Sequence, residues 1–150
     1  MNRLGAGAGV WIHNMENNHF EDHAFRLNFK CTNNMAEYES LILGLQMVRK
    51  LGAKRVSILG DSELIIKQIK GEYSVNNPRL SQYRETVLDF IKDLLEIYFA
   101  AIPRKHNMQA HGLATFASTC KFPFQPNHQY TVEVRHRPVI LENLKCRHIF

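Results

Sequence analysis

The chain has 150 residues, 45% of them hydrophobic, enough for one domain with a single core and too few for two comfortable ones. Nineteen lysines and arginines against 14 acidic residues give +5 before any of the eight histidines titrates, a balance that suits a polyanionic partner but falls short of a polybasic arm. No run reaches the roughly 20 apolar residues of a membrane span, and the opening MNRLGAGAGV lacks the apolar stretch of a secretory signal, so the expectation is a soluble intracellular protein of cytoplasm or nucleus, without a membrane partner.

In chain order, the run Gly5-Ala6-Gly7-Ala8-Gly9 leads into a short strand at Val10-Trp11-Ile12, and residues 25–31 alternate apolar and polar as a second strand does. An antiparallel pair joined across residues 13–24 fits both. Over residues 35–51 Tyr38, Leu41, Leu45 and Val48 recur at helical steps, and Gly52 stands where a left-handed cap belongs. Residues 55–59 read as a short strand ending at Gly60-Asp61. Ser62 then caps a short helix that carries Leu64, Ile65 and Ile69 and stops at Gly71. Asn77-Pro78 opens the longest helix, with Leu80, Tyr83, Val87, Phe90, Ile91 and Leu94 on one stripe.

Residues 97–102 predict a strand that Pro103 ends before the basic triplet Arg104-Lys105-His106, and a last helix is expected over about 108–119. Beyond Cys120 prolines and scattered histidines predict a connector over 121–150 with at most one strand, at 130–135, so the domain proper is placed at 1–120. Cys31, Cys120 and Cys146 are far apart and form no CxxC, which argues against a disulfide framework or a zinc site. The glycine run precedes a strand instead of opening a helix, and no Gly-Lys-Ser/Thr ends it, so it makes a poor phosphate loop. Trp11 and Phe25 read as core aromatics. The order of elements implies an α/β domain with a mixed sheet and flanking helices.

Two acidic residues stand out by position. Glu37 falls in the first turn of the first long helix, and Asp61 falls just past the end of a strand, the places where α/β folds build sites. A carboxylate pair there can hold Mg²⁺, which takes hard oxygen ligands and keeps waters for a phosphate-bearing substrate. The competing reading for Glu37 is a capping box with Asn34 three residues before it.

Four segments in order carry a family resemblance: Gly-Ala-Gly-Ala-Gly-Val at 5–10, Thr-Asn-Asn-Met-Ala-Glu-Tyr-Glu at 32–39, Gly-Asp-Ser-Glu-Leu-Ile at 60–65 and Asn-Met-Gln-Ala-His-Gly-Leu-Ala at 107–114. Together they resemble the type 1 ribonuclease H domain, most nearly the version in plant gypsy-type retrotransposon polyproteins. The Val-Glu-Val-Arg-His-Arg-Pro-Val segment at 132–139 is similar to the connector toward integrase there. The resemblance implies a ribonuclease H-like fold, residence in a larger polyprotein, and a hydrolase that cuts the RNA strand of an RNA/DNA hybrid with two Mg²⁺ ions about 3.5–4 Å apart. It assigns Glu37 and Asp61 to the catalytic metal-holding carboxylates and Asn33 and Asn34 to contacts with the hybrid, where a 2′-hydroxyl marks RNA. Arg104 and Lys105 are candidates for phosphate contact, and His106 stands near a family histidine linked to product release.

The chain departs from that pattern twice. The family's first aspartate lies in a central strand before the glycine-rich turn, and this sequence begins too late to contain it. The family's last aspartate falls at His111, and histidine is a poor ligand for Mg²⁺. Without two of four carboxylates, hydrolysis is expected to be impaired, leaving a catalytically inactive nucleic-acid-binding remnant as the alternative. A small-molecule α/β binding domain has only the glycine run behind it. The sheet must close over the absent strand, recruit residues 130–135 into its place, or leave a marginal fold.

Overall fold

In the computed structural model, residues 5–103, 105 and 129–140 are described. All of the glycine run but Gly5 lies within the first strand and not ahead of it: β1 spans Ala6–Asn14 and pairs antiparallel with β2, His19–Leu27, setting Val10 opposite His23 and Trp11 opposite Asp22. β2 therefore starts and ends earlier than the alternation over 25–31 suggests. Asp22, His23, Ala24 and Phe25 are all buried, so both faces of this stretch are covered and period two disappears from the sequence. Asn18, at φ 53, turns the short connection between the strands, a conformation asparagine tolerates. Phe25 belongs to the core as expected, at 1% exposure, but Trp11 does not: it is 41% exposed and stacks on Phe20 at 5.4 Å.

Helix α1, Asn33–Lys50, starts two residues before the expected position because Thr32 is its cap, its hydroxyl accepting from the Met35 amide at 3.2 Å. Gly52, at φ +75, follows the helix end as the sequence suggested. Strand β3, Arg55–Gly60, leads to α2, Glu63–Lys70, capped by Ser62 and ended by left-handed Gly71. Helix α3, Pro78–Ile91, starts at Asn77, whose side-chain oxygen accepts from Arg79 and Leu80 amides, with proline where no amide partner is needed. Strand β4, Glu96–Ala101, returns parallel to β3. The helix expected over 108–119 lies outside the described residues, as do Arg104, His106 and His111.

The alternating run near 130 forms β5, Gln129–Arg135. It pairs parallel with β2, on the side away from β1, and so does not enter the sheet where the family places its first strand. The described strands thus form two sheets, ordered β1-β2-β5 and β3-β4. Helix α1 serves both. Tyr38, Ile42 and Leu45 join α2, α3 and Phe99 in one core, while Leu43 packs on Val10, Ile12, Phe25 and Leu27 in the other; Met35 and Val48 touch both. No described helix is long and apolar enough to cross a membrane.

Two tyrosines at the centre make stability depend on alkaline pH. Burial raises Tyr38 to about 12, an effect Arg84 partly offsets, and burial followed by the Glu39 carboxylate pushes Tyr83 higher still. Each phenol stays neutral in the fold at a pH where the unfolded chain, with its ordinary value of 10.0, already ionises. Their contribution is therefore complete below that pH and is lost as pH rises through the folded values. Denaturant midpoints should fall steeply above pH 10 and fall less in Tyr83→Phe; a flat alkaline profile in the unaltered chain would contradict this.

Candidate nucleic-acid and metal site

Asp61 is held from both sides. Before it, the Ile102 amide donates to the Gly60 carbonyl at 2.8 Å, locking the ends of β3 and β4 together. After it, the Ser62 hydroxyl accepts from the Ile65 amide at 3.4 Å and starts α2. A half-buried carboxylate therefore stands at the carboxyl end of a parallel strand pair, where open α/β sheets bind ligands.

Glu37 is exposed on α1, and the capping-box reading fails for it. With Thr32 as the cap, the third helical position is Met35, so neither Asn34 nor Glu37 occupies a capping role. Asn33 and Asn34 lie four and three residues before Glu37, which puts all three side chains on one helix face. Asn33 is exposed and Asn34 half-buried.

Chain geometry brings Glu37 and Asp61 to the same end of the domain. α1 and β3 are joined by the short link of residues 51–54 and run back to back, with Val48 and Ile58 in a shared core. From Glu37 to Lys50 the helix climbs ~20 Å at ~1.5 Å per residue. The return from Arg55 to Asp61 covers ~20 Å at ~3.3 Å per residue. The two carboxylates therefore end level with each other. The first turns of α1 are fixed there, since the Tyr38 hydroxyl donates to Gln68 at 2.8 Å, Tyr38 and Tyr83 stack at 5.6 Å, and Arg84 donates to the Gln68 carbonyl at 2.7 Å.

Carboxylate oxygens of this kind are hard donors that suit hard divalent cations. Among the described residues no group of three histidines, cysteines or acids forms a metal cluster. Lys105 is exposed just past β4. Arg104 and His111 fall outside the described residues, so their approach to this end is an expectation from sequence alone.

Two buried acids, Asp22 and Glu39, escaped the sequence reading. Glu39 is fully buried, accepting from the Tyr83 hydroxyl at 2.5 Å and from the Val139 amide at 3.1 and 3.2 Å. Its signal was its spacing, three and four residues before the core residues Ile42 and Leu43, which sets it on the inward stripe.

The sequence model of the family described as Reverse transcriptase-like matches residues 1–117. A bifunctional protein of Mycobacterium tuberculosis is 35% identical over 88 residues, 59% of this chain and 24% of that protein. Ribonuclease HI of Halobacterium salinarum is 32% identical over 88 residues, 59% of this chain and 44% of the enzyme. The matched stretch thus spans less than half the length of these curated relatives. Among solved structures, RNase H1 from Halobacterium salinarum superposes with a TM-score of 0.70 at 26% identity, covering 75% of this chain and 85% of that one. The compost-derived LC11 RNase H1, solved in complex with an RNA/DNA hybrid, gives 0.64 at 30% identity, covering 77% and 89%.

Proposed function

Because this chain belongs to the reverse transcriptase-like family and carries a ribonuclease H-like fold, we propose that it binds RNA/DNA hybrid, with hydrolysis of the RNA strand impaired. What supports this reading is that the lengths of α1 and β3 bring Glu37 and Asp61 level at one end of the domain, with Asn33 and Asn34 in the same first turns of the helix as Glu37. The hybrid held by the similar LC11 structure supports the same substrate class. We further propose a retroelement origin of the plant gypsy type that the motifs resemble, with the domain residing in a polyprotein; of this, the reverse transcriptase-like family description bears on the retroelement origin alone.

Glu37 and Asp61 would hold Mg²⁺. When bound, the ion supplies positive charge against a phosphate and lowers the pKa of a coordinated water. The chain's own residues do the rest. Asn33 and Asn34 offer amide donors and acceptors to the hybrid backbone, and Lys105 offers a cation to phosphate. Such contacts read backbone geometry, so little sequence preference is expected. His111 at the last carboxylate position argues for slow or absent cleavage, and a purely binding role is the second reading.

Fluorescence anisotropy with a labelled hybrid tests the binding claim. Affinity should fall linearly on a log–log plot against salt, and Asn33→Ala together with Lys105→Ala should weaken it. Salt-independent binding would remove the phosphate argument. For cleavage, the chain should be compared with one given an N-terminal Asp-Gly-Ala strand and His111→Asp, in Mg²⁺. Faster cutting by the restored protein is expected, and equal rates would overturn the impairment.

A further inference from the structure

Taking as given the hybrid binding on which it rests, we infer that Arg137 is a further phosphate contact, carried by a strap that lies beyond the residues matched by the family model. It would set how the hybrid lies across the candidate site.

The strap leaves the sheet at the end of the domain that carries the site. β5 runs parallel to β2 and finishes level with it, Leu27 standing opposite Arg135, and the Asn28 amide donates to the Arg135 carbonyl at 2.7 Å. From that same strand end residues 28–32 lead into α1, whose first turns carry Asn33, Asn34 and Glu37. Arg137 comes two residues after Arg135. Two residues later the Val139 amide donates to the Glu39 carboxylate at 3.1 and 3.2 Å. The path from Arg137 through Val139 and Glu39 to Glu37 allows at most ~3.6 Å per extended residue and ~1.5 Å of rise per helical one, which keeps the two backbones within ~20 Å. One strand of a duplex presents a phosphate every ~3.4 Å, so Arg137 stands no more than about six phosphates from Glu37.

The cation is also held in place and unopposed. Arg137 is exposed and makes no ion pair among the described residues, whereas Arg135 is half-buried and pairs with Glu133 at 3.3 Å. Both ends of the short segment are tied, to Asn28 and to Glu39, and Pro138 restricts the backbone of the residue before it. Ile140 anchors the far side, 4% exposed in the core with Tyr38 and Tyr83. A loose surface arginine must give up conformational freedom to close on a ligand, and a tied backbone has already given up part of it. The guanidinium fork offers parallel donors to two phosphate oxygens, a geometry that a phosphodiester meets.

Such a contact carries no base information. Its consequence is register, since a phosphate fixed at Arg137 limits which residues of the hybrid can reach Glu37 and Asp61.

The test is a salt titration of a labelled hybrid of about 16 base pairs, read by fluorescence anisotropy with the full chain and no divalent cation, so that neither strand is cut. Arg137→Gln should weaken binding about three- to tenfold and lower the log–log salt slope by about one, and Arg137→Lys should keep the slope. Its side chain is exposed, so the urea midpoint should not move. A single uncharged methylphosphonate walked along each strand locates the contact: one position should weaken the unaltered chain and make no difference to Arg137→Gln. Arg55→Gln, at the start of β3 and so at the opposite end from Asp61, should change neither affinity nor slope. Equal binding by Arg137→Gln and the unaltered chain would overturn the contact and leave hybrid binding standing. So would an equal loss in Arg55→Gln, which reduces Arg137 to general charge, or a loss with unchanged slope and a lower midpoint, which makes its role structural. No binding by the unaltered chain would remove the hybrid reading and this contact together.

Discussion

Ending the chain at residue 128 is expected to cost upward of about 4 kcal/mol, a large share of the ~5–15 kcal/mol that typical domains possess. The family match stops at residue 117, yet residues 129–140 are packed into the fold. Ile140, 4% exposed, lies in the core with Tyr38 and Tyr83, and burying such a side chain contributes about 1.5–3 kcal/mol. The Val139 amide donates to the Glu39 carboxylate, a charge-assisted bond of about 1.5–3 kcal/mol. The Asn28 amide also loses the Arg135 carbonyl, at 2.7 Å, and β2 loses its parallel neighbour. Urea denaturation of the two lengths measures the difference. A shift below about 1 kcal/mol would mean that residues 129–140 merely lie against the domain.

Glu39→Ala should destabilise by about 2–5 kcal/mol, because it strips the acceptor from a buried and a part-buried donor at once, at about 1–3 kcal/mol each. The Tyr83 hydroxyl and the Val139 amide both turn to this carboxylate. Tyr83→Phe removes one donor and leaves the other, so about 1–3 kcal/mol is expected from it alone. The two changes share a partner, and the double variant should cost less than the sum of the singles. Thermal melts of all four proteins give the cycle. Strict additivity, or a Glu39→Ala protein as stable as the original, would show that the carboxylate does not organise this core.

Local chemistry made much of the fold legible. Ser62, Gly71 and Asn77-Pro78 mark helix boundaries through hydrogen bonds and backbone angles that single residues control, and each stands where the sequence placed it. Of the expected helical stripe, Tyr38 and Leu45 are buried in the core and Leu41 and Val48 pack against it, for the same reason. Glu37 and Asp61 were singled out because a helix start and a strand end are local features. Other features depended on neighbours. β2 lost its alternation because α1 and β5 cover parts that an isolated hairpin would expose, and Trp11 stays open because no described element packs over it enough to bury it.

The sequence by itself determined the elements, their caps and the acids at their ends, since these follow from contacts a few residues long. Only the tertiary structure decided that Glu39 receives Val139 from a hundred residues away and that β5 joins β2 instead of β1. Each of those outcomes is a competition between partners distant in the chain, settled by which surface the folded helices leave within hydrogen-bonding reach, and no short stretch of residues carries that information.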